Sequence, residues 1–90
     1  MPKRRPKPRS FRSEARSAPG VATALWRLGR AIRELRLKRE LSQEALAARA
    51  GLDAKHVQAL EAGNTNATVA SLVGLARALG VSVADLLGGT

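Results

Sequence analysis

An all-α domain of five helices is predicted by three features of this chain. Apolar residues recur at helical spacing, first as Leu25, Leu28, Ile32 and Leu35, later as Val69, Leu72, Ala76 and Leu79. A capping residue or a glycine punctuates each periodic run. No stretch alternates apolar and polar residues as a half-buried strand would, and there is no internal repeat.

The first helix is expected from about Ala22 or Thr23 to Arg39, with Arg30, Arg33 and Glu34 off the apolar stripe and Trp26 packed at its start. Ser42 is placed to cap a second helix, its hydroxyl meeting amides unpaired in the first turn. Gly51 can take the left-handed backbone of a tight turn, and Ala47 is small where two helices would cross. Asp53 is expected to cap the third helix in the same way, its carboxylate near the positive end of the dipole. Leu46, Ala50, Leu52, Val57 and Leu60 supply inward positions in this pair of helices. Gly63 ends the third helix, and Gly63 to Ala67 reads as a polar loop. Thr68 begins the fourth helix, with Leu75 beside the Val69–Leu72–Ala76–Leu79 face. Gly74 should weaken that helix by about 1 kcal/mol relative to alanine. Gly80 stops it, Ser82 caps a short fifth helix, and Gly88-Gly89 closes the domain.

Composition sets the bounds. Ninety residues allow one domain, expected over 22–88, and leave no length for an appended ligand-sensing domain. The absence of cysteine removes disulfides, thiolate metal sites and thiol nucleophiles together, and fits a reducing compartment. No apolar run approaches the ~20 residues of a membrane span. Arg4-Arg5 is followed by proline, serine and charge rather than an apolar stretch, which argues against export. The net charge is +9, and +6 of it lies in residues 1–20, where Lys3, Arg4, Arg5, Lys7, Arg9, Arg12 and Arg16 face only Glu14. All four prolines share that segment. Residues 1–21 therefore read as a disordered basic arm, unable to bury enough apolar surface to offset its ordering entropy. Attraction to phosphates, a merely solvated extension or an over-called translation start, and an anionic membrane surface are the open readings of that arm.

A helix, a turn at Gly51 and a second helix, set in a chain this basic, point to reading DNA. The ordered segments Leu28-Gly29 with Ile32, Leu35 and Arg36, Leu41 to Ala47, Ala50-Gly51-Leu52, Val57, Leu60 to Gly63 and Ala78 to Val83 carry a further likeness. Over residues 25–88 the chain resembles the helix-turn-helix family of phage repressors, Cro proteins and xenobiotic-response-type regulators. The resemblance implies a compact repressor-like domain in which Gln43 holds a phosphate, often while supporting the recognition helix. An amide at a helix N-terminus does add a donor to free backbone amides, although an exposed polar residue is the plainer reading. It implies a buried salt bridge between Arg36 and Glu61 joining the first and third helices. Each of these residues by itself could equally be a surface charge.

On the third helix, Val57 and Leu60 point inward and leave Ala54, Lys55, His56, Gln58, Ala59 and Ala62 outward or at the rim. The resemblance assigns base contacts mainly to Ala54, Lys55 and Ala59. Lys55 can donate to guanine O6 and N7, Gln58 can reach a base edge or a phosphate, and an alanine offers only a methyl to a thymine methyl. Direct readout is thin, which gives DNA shape a larger share of selectivity. His56 stands without the ligands a metal needs or the partners of a general base, and reads as a rim residue within reach of a phosphate. The loop with Asn64 and Asn66 looks like the family's backbone-contacting loop, though turn chemistry explains its composition equally well. It lacks the strand context of a nucleotide-binding motif.

The expected function is a sequence-specific transcriptional regulator of double-stranded DNA, cytoplasmic and nucleoid-associated, with no cofactor, metal, membrane or small-molecule substrate. It is expected to act as a homodimer on half-sites ~34–36 Å apart, since one short helix reads few base pairs. Val81, Val83, Leu86 and Leu87 are the candidate dimer surface, or else they close the monomer core. Small restriction–modification controller proteins and phage-type repressors are the settings the resemblance implies. The alternative is an antitoxin that binds a toxin partner and represses its own operon. An enzyme finds no support, because no acid, base, nucleophile or ligand set is gathered.

Overall fold

The computed structural model describes residues 18–88, and among these lie five helices: α1 (Val21–Lys38), α2 (Gln43–Ala50), α3 (Ala54–Glu61), α4 (Val69–Leu79) and α5 (Val83–Leu86). Most of the basic arm expected over 1–21 lies outside the described residues. Gly20 caps α1 in a left-handed conformation, so the helix begins one residue before the expected start. Gly88 has φ +80 at the other end, and Gly89 lies beyond the described part.

The helix starts follow local chemistry. The amide of Ala45 donates to Ser42 Oγ at 2.9 Å, and Thr68 with Ser71 and Ser82 with Asp85 form reciprocal capping boxes. Asp53 occupies the cap position of α3 without the expected side-chain hydrogen bond. Its carboxylate can act there only through the helix dipole. Gly51 has φ +74 and passes the chain from α2 to α3, its neighbour Leu52 donating its amide to the Ala47 carbonyl at 2.8 Å. Between α1 and α2 the equivalent left-handed position is held by Glu40, at φ 55, where a Cβ costs about 1 kcal/mol or more.

One core joins all five helices: Leu28, Ile32, Leu41, Leu46, Ala47, Val57, Leu60, Leu72, Leu75, Ala76, Leu79 and Leu86. Two crossings are closed by glycine. An added Cβ at Gly29 of α1 would stand 2.6 Å from the Leu60 carbonyl oxygen and 2.5 Å from that of Glu61. At Gly74 of α4 it would stand 2.5 Å from the Ala50 carbonyl oxygen at the end of α2. Gly74 is thus the residue that lets α4 close on α2, a role that outweighs the propensity cost expected of it.

Two side chains depart from expectation, and two take one of the alternatives open to them. Val69 is 76% exposed in the first turn of α4, and so leaves the expected apolar face. Trp26 is 57% exposed and is not packed at the start of α1. Leu86 is fully buried and closes the core, which removes it from the candidate dimer surface. Ala54 is half-buried and packs against the core, which puts it at the rim of α3.

Candidate nucleic-acid interface

The α2–turn–α3 unit presents one edge of α3 to solvent and fixes the other. Val57 and Leu60 are buried to 0% and 1% exposure and set the rotation of the helix about its axis. Lys55 and Gln58 consequently project outward as exposed side chains, with His56 and Ala59 half-buried beside them and Ala62 exposed at the end. Ala54 is half-buried as well and packs against the core.

Behind α3 lies a polar cluster inside an apolar setting. Glu61 at the C-terminal end of α3 accepts from Arg36 Nε at 2.6 Å and from Nη2 at 3.0 Å, a two-pronged ion pair between α1 and α3. Both side chains are at least nine-tenths buried. The third guanidinium nitrogen, Nη1, donates to the Leu41 carbonyl at 2.8 Å, tying the α1–α2 turn to the same residue. Gln43 Nε2 donates to Glu61 Oε1 at 3.0 Å. Three elements therefore converge on one carboxylate. The hydrogen bond that Arg36 donates to Glu61 raises the Arg36 pKa; burial opposes this, and the charges of Glu61 and Glu44 add to the rise. No buried side-chain nitrogen or oxygen among the described residues lacks a partner.

Gln43 stands at the first position of α2 with its amide group occupied by Glu61. Its remaining N–H is oriented by that bond, so a phosphate at this helix end would meet a pre-positioned donor. After α3, Gly63 adopts φ +74 and Asn64 donates its amide to the Ala59 carbonyl at 2.9 Å, which ends the helix abruptly. Asn64 is exposed and Asn66 half-buried in the loop that follows. The sequence offered no sign of the Arg36–Leu41 bond, since a backbone acceptor leaves no mark on residue type. Among the described residues no three metal-ligating side chains gather, and no helix is long and apolar enough to cross a membrane.

Residues 32–86 match the family model described as helix-turn-helix. The chain belongs to that family. It is of the xenobiotic-response type, a family of DNA-binding transcriptional regulators. The HTH-type transcriptional regulator y4dJ of Sinorhizobium fredii is 46% identical over 54 residues, which are 58% of this chain and 70% of the relative. Among solved structures, the restriction-modification controller protein C.AhdI of Aeromonas hydrophila is 38% identical with a TM-score of 0.69, covering 71% of this chain and 97% of its own. The hypothetical transcription factor NHTF of Neisseria is 34% identical with a TM-score of 0.69, covering 71% and 72%. The clp gene regulator ClgR of Corynebacterium glutamicum is 29% identical with a TM-score of 0.69, covering 73% and 70%.

Proposed function

We propose that this regulator reads a specific duplex site as a homodimer, placing α3 in the major groove through Lys55 and Gln58, with Ala59 against a thymine methyl. The observation that carries the reading is the open outer edge of α3 opposed to its fixed inner edge at Arg36, Glu61 and Gln43. Gln43, Asn64 and Asn66 flank that edge and serve the phosphates, with His56 at the rim. The small apolar contact set leaves part of the selectivity to sequence-dependent DNA shape. The protein acts without catalysis, in the cytoplasm, on nucleoid DNA.

Dimerisation uses the end of the chain. Leu87 is 56% exposed, and with Gly20, Thr23, Ala24 and Arg27 it lines an open cleft of about 320 Å³. Half-buried Val81 lies on the approach to α5 and half-buried Val83 opens that helix. A second copy seated there would bury Leu87 and pair two recognition helices.

Selection of bound fragments from random duplexes tests the reading. The expected result is a repeated half-site spaced by about one helical turn, bound at least ~10³-fold more tightly than random duplex. Equal affinity for all sequences would replace it with non-specific DNA coating.

A further inference from the structure

The turn that follows α3 is pressed against the first helix. A Cβ added at Gly63 would lie 3.4 Å from Trp26 Cα and 3.5 Å from the Leu25 carbonyl oxygen, so loop and helix meet backbone to backbone. The Trp26 side chain leaves this contact for solvent, 57% exposed. Arg30 lies over its ring, with Cζ 5.2 Å from the centroid. Arg33 follows one turn later and is also exposed. Glu34 pairs with Arg30 at 3.5 Å, and both side chains are more than half exposed. An ion pair this exposed is weak and readily exchanged for another anion.

We propose that Trp26 and Arg30 form a phosphate clasp beside the Gly63–Asn66 loop, gripping the DNA backbone outside the groove that α3 reads. This rests on the reading that the loop runs along the DNA backbone. The indole face holds the guanidinium in one orientation, which lowers the ordering cost of a two-pronged bond to phosphate. The indole N–H supplies a further donor. Arg33 offsets the charge of Glu34, so the face stays net positive when Glu34 is released. An apolar protein partner would have to desolvate Arg30, Arg33 and Glu34 together, whereas a phosphate row makes use of the two arginines.

Trp26 is the only tryptophan, so its emission reports this position alone. The full chain is titrated with the selected duplex and, at low salt, with random duplex. Quenching of Trp26 that saturates with binding on both is expected. Arg30→Gln should lower the slope of log affinity against log salt by about 0.9 on every sequence, so its deficit grows about 3.5-fold between 200 and 50 mM salt. Trp26→Phe, whose fold is checked by helical circular dichroism, should weaken both duplexes equally. Unchanged emission and slope with intact site-specific binding would overturn the clasp and leave the regulator reading standing. An emission change that follows protein concentration without DNA would assign the face to a second copy and overturn it as well. If no duplex is selected but the random-duplex slope falls in Arg30→Gln, the clasp holds and site-specific readout fails.

Discussion

The two edges of α3 are built on opposite principles. The inner edge is crowded and fully bonded: Val57 and Leu60 in the core, Glu61 held by Arg36 and Gln43, and the Leu60 and Glu61 carbonyls against Gly29. The outer edge is sparse, with Lys55 and Gln58 as its exposed long side chains, His56 half-buried at the rim and alanine elsewhere. The contrast separates holding from reading. Substitutions behind the helix should act through folding, and those in front should act on DNA alone.

The largest expected effect breaks the inner edge. Glu61→Ala strands the buried Arg36 charge and should cost ~3–5 kcal/mol, enough to unfold so small a domain. A thermal melt close to that of the parent chain would show that the pair does not hold α3. Gly74→Ala is sharper, because two effects oppose in sign. Helix propensity alone favours alanine by about 1 kcal/mol, but the new methyl meets the Ala50 backbone, which cannot swing aside. Net destabilisation of about 1–3 kcal/mol in denaturant titration is expected, and any gain would mean that α4 shifts freely.

The outer edge is tested by Lys55→Ala. It should leave the melting temperature in place and relax preference at one base pair by about 1–3 kcal/mol, read by competition among duplexes differing at single positions. Uniform weakening on all sequences would move Lys55 to a phosphate. Smaller still is the difference between two caps. Ser42→Ala should cost about 1 kcal/mol, whereas Asp53→Ala should cost less than half of that, since only Ser42 accepts an amide hydrogen. Acidity makes the final, flattest test. The Arg36 pKa is raised, so its stabilisation is complete below the ordinary arginine value and is lost only as pH climbs through the higher folded value. The stability gap between the parent and Arg36→Met should therefore stay level from neutral pH into the alkaline range.

Legibility followed the range of the forces involved. Ser42, Thr68 and Ser82 cap their helices through groups three residues away, which the sequence displays directly. Val57 and Leu60 face inward because period fixes angle. Period fixes a side chain's angle but not what covers it, so Val69 has the angle of Leu72, Ala76 and Leu79 and still stands exposed. Trp26 sits off the Leu25–Leu28–Ile32 stripe, so its angle on the helix rather than its apolar character decides its exposure. Leu86 belongs to a helix of four residues, too short for a period to show which way it turns. Gly29 and Gly74 looked like a motif letter and a weak point, because close backbone approach is visible only once two helices have met.

Ala59 and Ala62 give the front of α3 an unusual freedom. Ala62 is exposed and Ala59 half-buried, and neither belongs to the buried core, so a longer residue at Ala62 would extend into solvent without disturbing the layers beneath. New operators could then be acquired one letter at a time, each step altering which promoter is visited while the scaffold keeps its melting point.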